Sequence, residues 1–186
     1  DLVGTGSNKR EWVHQFFAGA ADILCRYSMF PTLGNHEQNA ALYYQYFTMP
    51  EPEYYYQYSW GNTDFFVVDT NKRIASDTDQ VKWLERALAA SKSTWKVVYH
   101  HHPAWTSDEN DYGDTWKGGS DQGYPPVQKT LTPLYDKYGV DVVFNGHIHV
   151  YERTWPIKNG KTVEAGKGGG YITTGGGGGS LENFAP

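Results

Sequence analysis

Three short apolar runs, separated by segments with helical spacing, constrain the fold of this chain more than any other feature. The runs are FFVVDT (65–70), WKVVYH (95–100) and VDVVFNG (140–146). Continuous apolar strands of this length are typical of parallel sheets that are buried on both faces. Strands of this kind that alternate with helices predict an α/β sandwich.

Helices are predicted ahead of these strands and between them. Apolar residues recur at helical spacing in three segments, and capping residues or a terminal glycine mark several of the ends. The predicted helices cover residues 9–25, a segment that follows the capping residues Ser76, Asp77 and Thr78, and residues 127–139, which Gly139 closes and Pro133 is expected to kink or shorten.

The other predicted elements are strands. A buried strand at 27–33 is expected to end at Gly34, and a last strand covers 170–176. The aromatic block at 40–64 predicts a β-hairpin with Trp60-Gly61-Asn62 near its turn.

Two loops differ in composition from the rest of the chain. The run Gly175–Gly179 predicts a loop whose backbone passes close to another segment, with a flexible linker as the alternative. Residues 104–124 form a long polar, Gly-rich loop, and its aromatic residues are expected to shape a binding pocket. These aromatic residues are Trp105, Tyr112, Trp116 and Tyr124.

The composition is that of a globular protein with enough residues for one domain. The chain has 186 residues, of which 39% are hydrophobic, and a net charge of −5 without any basic run. This charge argues against a nucleic-acid scaffold, and no stretch approaches the ~20 apolar residues of a membrane span. The single cysteine, Cys25, is predicted to be buried. It excludes a disulfide within the chain and cysteine-rich zinc sites.

Three polar clusters each follow an apolar strand of this prediction. They are Gly34-Asn35-His36-Glu37, His100-His101-His102-Pro103 and Gly146-His147-Ile148-His149. Ligands of open α/β sheets bind beyond the carboxyl ends of strands. Imidazole, amide and carboxylate groups are ligands for zinc, iron and manganese. Each cluster alone also suits an ordinary turn or surface loop, but the three together predict a metal site.

The order of these motifs resembles that of the calcineurin-like metallophosphoesterases, most closely the purple-acid-phosphatase-like branch. The resemblance implies an α/β/β/α sandwich formed by residues 1–186 as a single catalytic domain. It also implies that the family's first strand and its first metal motif, Asp-x-His, precede residue 1. The matching motifs are GNHE (34–37), HHP (101–103) and GHIHVYER (146–153), and similar connecting segments cover 55–71, 81–91 and 171–178.

The resemblance implies two divalent or trivalent metal ions, which would be zinc, iron or manganese. Asn35, His101 and His147 would bind one ion, and His149 would bind the other. Asp1 would bridge both ions as the carboxylate of the family's Gly-Asp motif, although an N-terminal Asp also suits a disordered end. Gly4 stands where purple acid phosphatases have a metal-bound tyrosine, so their charge-transfer colour is expected to be absent.

Further roles are implied for residues beside the metals. His36 would bind phosphate or donate a proton to the leaving group, and His102 would point toward substrate. Glu152 and Arg153 would support the site from behind the ligands, with a surface ion pair as the alternative. Asp114, in the Gly-Asp of the long loop, is interpreted as unrelated to the metals.

The predicted function is hydrolysis of small-molecule phosphate monoesters by a metal-bound hydroxide. A phosphodiesterase with the same metals is one alternative, and a fragment that binds metal or phosphate without turnover is another. A histidine-rich interaction domain is disfavoured because the histidines follow strands in family order. The resemblance further implies a secreted or periplasmic protein.

Overall fold

Four parallel strands form the centre of the sheet, as the apolar runs predict. The computed structural model describes residues 1–108 and 123–182. The six-stranded sheet has the order β1-β2-β3-β4-β8-β5, with antiparallel strands at its two edges, and β6 and β7 form a separate ribbon. The strands are β1 (Tyr56–Trp60), β2 (Thr63–Val67), β3 (Trp95–His100), β4 (Val142–Asn145), β5 (Tyr151–Arg153), β6 (Ile157–Lys158), β7 (Lys161–Thr162) and β8 (Gly170–Thr174).

The helices lie close to their predicted positions. Thr78 caps α4 by accepting the backbone N–H of Val81, and Gly139 ends α5 with a left-handed φ of 66°. Pro133 lies in the first turn of α5, where the winding changes from π to α. The helices are α1 (Lys9–Glu11), which continues through a π-helical segment (Trp12–Phe17) into α2 (Ala18–Leu24), then α3 (Ala41–Tyr46), α4 (Asp79–Ala90), and a second π-helical segment (Val127–Leu131) that leads into α5 (Thr132–Tyr138).

Two hydrophobic cores hold these elements together. In the larger core, Val98 of β3 and Val143 of β4 pack with Leu84 and Leu88 of α4. The smaller core surrounds Trp12, which has no exposed surface. The α/β fold is therefore confirmed, with apolar strand residues buried beneath helices as their patterns predict.

The predicted strand at 27–33 is wrong, because this segment forms no ladder within the described part of the chain. Side chains satisfy its carbonyl groups instead: Tyr99 Oη donates to Phe30 O at 2.8 Å, and Tyr56 Oη donates to Pro31 O at 2.6 Å. Pro31 has no N–H to donate to a ladder, which disfavours a regular strand there.

The hairpin is confirmed, with Trp60 opposite Thr63 and Gly61 at a φ of 58° in the turn. The aromatic block before it also contains α3, a helix that the prediction missed.

Cys25 corrects another expectation. It follows the last turn of α2 and is exposed, as is Ile23, which is 62% exposed. The buried face of this helix thus ends before the apolar pattern does. Every helix in residues 1–108 and 123–182 falls short of the length and apolar character that crossing a bilayer requires.

Candidate metal centre

The candidate centre lies where β3 and β4 end side by side. The two strands are parallel neighbours, and His100 is paired with Asn145 at their last positions. The backbone N–H of Gly146 then donates to His101 O at 3.0 Å, which extends the pairing one step beyond the strands. The histidine segments that follow both strands therefore leave from the same edge of the sheet, as the strand-end rule predicts.

Polar atoms from four predicted ligands meet at this edge. His101 Nε2 lies 2.7 Å from Asn35 Oδ1 and 3.0 Å from His147 Nδ1, and Asn35 Oδ1 lies 3.0 Å from His147 Nδ1. Asp1 Oδ2 lies 3.4 Å from His101 Nε2. Residues from the N-terminus, the GNHE segment and two strand ends thus converge.

The spacing of these atoms suits a metal shell. Around an ion with bonds of ~2.0–2.2 Å, neighbouring ligand atoms lie roughly 3–3.5 Å apart. Two imidazole nitrogens, an amide oxygen and a carboxylate oxygen are a donor set for zinc, iron or manganese. The residues present therefore match the ions that the sequence implies.

Burial favours the neutral form of His100, His101 and His102. His101 is 1% exposed, and desolvation by burial lowers the pKa of its imidazole far below the usual range. Burial and then His147 lower the pKa of His102 to about 3. Burial also lowers the pKa of His100 to about 4.

His147 reaches the cluster through an unusual backbone conformation. Its φ is 68°, in the left-handed region that non-glycine residues seldom adopt. The next residue, Ile148, donates its N–H back to Gly146 O at 2.8 Å, which makes a tight turn. Strain of this kind concentrates at functional sites.

Gly34 allows Asp1 to approach the GNHE segment. A Cβ at Gly34 would lie 2.0 Å from Asp1 Oδ1, so no other residue fits there without displacement. Asp1 Oδ1 accepts the backbone N–H of His36 at 2.9 Å. The close approach of Asp1 thus depends on glycine at position 34, whereas a Cβ at Gly146 would make only ordinary contact with His101 at 3.5 Å.

His36 is exposed beside this loop. Its Nδ1 lies 2.7 Å from Gly4 O. Because a carbonyl only accepts hydrogen bonds, Nδ1 carries a proton, and Nε2 is the free nitrogen of the neutral ring.

His102 is held by Thr70 and Tyr124. Its Nδ1 lies 2.8 Å from Thr70 Oγ1, and the same hydroxyl accepts its backbone N–H at 3.1 Å. The ring stacks on Tyr124 with centroids 4.6 Å apart. Among the described residues, the group of histidines with ligand atoms within 4.8 Å of one another is His101, His102 and His147. His102 therefore lies in the same histidine group as the predicted ligands His101 and His147, whereas the resemblance implied only that it points toward substrate.

His149 contacts a different segment. Its Nδ1 donates to Ser180 O at 2.7 Å, and its backbone N–H donates to Glu182 Oε2 at 2.8 Å. We call residues 179–182 the C-terminal strap. Gly179 permits this contact, because a Cβ there would lie 2.5 Å from the His149 ring. The expectation that the glycine run passes close to other backbone is supported, since a Cβ at Gly175 would lie 2.1 Å from Ile148 O.

The remaining predicted residues lie around or outside this region. Glu152 accepts two hydrogen bonds from Ser107, at 3.1 Å and 3.0 Å, and so anchors the loop that follows the HHHP segment. Arg153 is exposed on β5 and lines a groove of about 910 Å³ beside Trp155. Trp105 packs against the larger core. The predictions for Asp114, Tyr112 and Trp116 lie outside the described residues.

Sequence reasoning assigned no role to two groups that organise the centre. Glu37 is completely buried and accepts backbone N–H groups from two loops. The Asp69-Thr70-Asn71 segment follows β2, where Thr70 holds His102 and Asn71 Nδ2 donates to Leu33 O at 3.1 Å. The second group had the same signal as the predicted clusters, namely polar residues directly after an apolar strand.

The fold and the centre agree with a known family of metal-dependent phosphoesterases. The sequence model of the calcineurin-like phosphoesterases matches residues 1–151, and the chain belongs to this family. The resemblance to the calcineurin-like metallophosphoesterases that the motifs indicated is therefore confirmed, and so is the fold class.

Within this family, similar proteins include purple acid phosphatases. Probable inactive purple acid phosphatase 27 of Arabidopsis thaliana is 26% identical over 99% of this chain and 30% of its own length. Acid phosphatase type 7 of Mus musculus is 31% identical over 68% of this chain and 32% of its own length. The solved structure of the purple acid phosphatase PPD1 from yellow lupin has a TM-score of 0.70 and 28% identity over 83% of this chain and 29% of its own length. The chain thus spans about a third or less of these proteins.

Proposed function

We propose that the protein containing this chain hydrolyses phosphate monoesters of small molecules at a dinuclear metal centre. The convergence of Asp1, Asn35, His101 and His147 at the ends of β3 and β4 carries this proposal. Family membership supports metal-dependent phosphoester hydrolysis, and relatives named as acid phosphatases favour monoesters.

The chain's own residues would supply ligands at both metal positions. Asn35, His101 and His147 would hold the first ion, and Asp1 would extend a carboxylate toward the second. His149 donates its Nδ1 proton to Ser180 O, so Nε2 of the neutral ring retains the lone pair that a metal needs. When bound, two such ions would polarise phosphate oxygens and lower the pKa of a coordinated water.

The uncoordinated histidines would act on the substrate. His36 is exposed and its Nδ1 is engaged with Gly4 O, so Nε2 is available to carry a proton to a leaving alkoxide. His102 lies between Tyr124 and His147, with ring centroids 4.6 Å from each. This position beside the cluster suits a hydrogen bond to a bound phosphate.

The test is metal content measured by elemental analysis, together with hydrolysis of an aryl phosphate and an aryl phosphodiester. Two metals per chain, with turnover of the monoester that disappears in His147→Ala, is the expected result. Glu85→Gln, a change at an ion pair on α4, is the control for nonspecific effects. Faster turnover of the diester would instead establish a phosphodiesterase. The absence of bound metal would reject the proposal.

A binding protein without turnover is the second candidate. Two similar Arabidopsis thaliana proteins are named as probable inactive purple acid phosphatases. In addition, His149 contacts the C-terminal strap and does not belong to the compact histidine group of the described residues. One metal per chain without turnover of either ester would favour this function.

We also propose that residues 1–186 act as one catalytic domain. The segment 27–33 belongs to the smaller core through Leu33 and is joined to the sheet by Tyr56 and Tyr99, which donate to the carbonyl groups of Pro31 and Phe30. A single cooperative unfolding transition, seen equally by tryptophan fluorescence and circular dichroism, is expected. Two separate transitions would reject it.

We propose in addition that the protein is secreted or periplasmic, as the resemblance to purple acid phosphatases implies. Cell fractionation with an antibody against this chain tests the location. Recovery in the cytosolic fraction would contradict it.

A further inference from the structure

We infer that Glu37 is a positioning residue, which holds the loops carrying Asp1 and Asn35 in the arrangement that binds metal. This inference rests on the proposed function of the centre. Glu37 has no exposed surface, although its side chain is acidic. Acidic side chains are almost never fully buried unless specific partners hold them.

The carboxylate of Glu37 joins two segments that are distant in sequence. Oε1 accepts the N–H of Leu2 at 2.7 Å and that of Val3 at 3.2 Å, directly after Asp1. Oε2 accepts the N–H of Gly34 at 2.7 Å, directly before Asn35. One side chain therefore fixes the backbone beside two of the four converging ligands.

The connection between the two loops is reciprocal. Asp1 Oδ1 accepts the backbone N–H of His36 at 2.9 Å, while Glu37 binds the loop that follows Asp1. Gly6 adds a backbone bond to His36 O at 2.8 Å. Each loop thus presents a carboxylate to the main chain of the other.

Close packing leaves these loops little freedom to adjust. A Cβ at Gly6 would lie 2.0 Å from Glu37 O, and one at Gly34 would lie 2.0 Å from Asp1 Oδ1. Backbone therefore contacts backbone and carboxylate without intervening side chains. A displacement of the Glu37 carboxylate would shift the backbone next to Asp1 and Asn35, because its oxygens are bonded directly to the N–H groups of Leu2 and Gly34.

Three acceptor bonds from one side chain require a carboxylate. In Glu37→Gln the amide keeps one oxygen, so its NH₂ group would face either Gly34 or the Leu2 and Val3 amides. At least one buried backbone N–H would then oppose another donor. The expected response is a shift of one loop, which changes the distance between Asp1 and Asn35.

The experiment measures Zn²⁺ affinity by competition with a chelator for the unmodified chain, Glu37→Gln and the control Glu85→Gln. Glu85→Gln makes the same chemical change in a partly exposed side chain on α4. Glu37→Gln is expected to bind Zn²⁺ about 10–100-fold more weakly, as is typical when a partner behind the ligands is lost. Imidazole NMR signals of His101 and His147 should also shift in the metal-free variant.

The outcomes separate this inference from the proposed function. If the unmodified chain binds no Zn²⁺, both fail. If Glu37→Gln binds Zn²⁺ as tightly as the unmodified chain, only the inference fails, even if the variant melts at a lower temperature. If Glu37→Gln does not fold, Glu37→Asp decides the question: unchanged Zn²⁺ affinity in that shortened carboxylate would overturn the positioning role.

Discussion

His147 and His149 are two residues apart, yet they belong to different environments. His147 meets Asn35 and His101 at 3.0 Å, in a cluster drawn from three distant parts of the chain. His149 donates to Ser180 in the C-terminal strap. The left-handed φ of 68° at His147 produces the separation, because it turns the backbone between the two rings.

This difference indicates that the ligands of the two proposed metal positions are held in place to different degrees. The first is assembled by buried contacts among ligands from several segments. The second depends on the Asp1 carboxylate, on His149 and on a strap whose Leu181 is 77% exposed. The first position is therefore expected to be the tighter and the more robust.

Acid is expected to have the largest effect on the stability of the protein. It acts on the buried histidines around the first metal position. Burial lowers the pKa of His100 to about 4 and of His102 to about 3, and lowers that of His101 further. Between the unperturbed histidine pKa of about 6.5 and the lowered pKa of about 4 at His100, the unfolded chain therefore comes to bind about three more protons than the folded chain. The stability of the metal-free protein is lost as the pH falls from 6.5 toward 4.5.

Urea unfolding at a series of pH values measures this loss. Each extra proton lowers the free energy of unfolding by about 1.4 kcal/mol per pH unit. His102→Gln should reduce the slope by about one proton. A stability that does not change between pH 6.5 and 4.5 would contradict the burial of neutral imidazoles.

The next largest effect separates the two histidine environments directly. His101→Ala removes the imidazole at the centre of the cluster. It is expected to weaken Zn²⁺ binding by more than about 100-fold, a larger loss of affinity than is usual when a group behind the ligands is removed. His149→Ala should leave the tighter of two Zn²⁺ equivalents in place and weaken the second. Titration with Zn²⁺ against a chelator resolves both steps, and equal losses in the two variants would show that the positions are one site.

A pair of glycine variants gives an intermediate effect. Gly34→Ala places a Cβ 2.0 Å from Asp1 Oδ1, whereas Gly146→Ala places one 3.5 Å from the His101 ring. Crowding should cost Gly34→Ala about 1–3 kcal/mol in free energy of unfolding. Gly146→Ala should cost less, and urea unfolding of the two variants at pH 7 compares them. Equal costs would mean that the approach of Asp1 to Gly34 is not maintained in solution.

The smallest effect is expected at the C-terminal strap. Gly179→Ala brings a Cβ to 2.5 Å from the His149 ring, while Gly177→Ala meets nothing within 4 Å. Because the strap is largely exposed, we expect Gly179→Ala to change stability by less than about 1 kcal/mol. Its NMR signature should be a shift of the His149 imidazole that Gly177→Ala does not produce. A comparable shift at His147 would show that the two environments are coupled.

Local sequence patterns predict the central strands and helices well. The run WKVVYH is found as β3 at Trp95–His100, and Thr78 caps α4 as its position before an apolar helical pattern suggests. The segment 27–33 could not be predicted in the same way. Its partners are hydroxyl groups of distant side chains, such as Tyr99, 69 residues away from Phe30.

The candidate ligands could be predicted from their motifs, but the groups that hold them could not. Glu37 acts through backbone N–H groups, which every residue has, so the sequence gives no sign of its partners. Likewise, only the tertiary structure shows that Thr70 approaches His102 across 32 residues. The residues that can bind a metal follow from side-chain chemistry, whereas the groups that hold those residues in place depend on the topology of the fold.

The contact between Asn35 and His147 joins residues 112 positions apart, and the contact between Asn35 and His101 spans 66. Closing loops of this length is entropically costly and is achieved only when β3 and β4 are already paired. We therefore expect the cluster to form late in folding. A metal that binds only the folded chain would slow unfolding and leave the folding rate nearly unchanged.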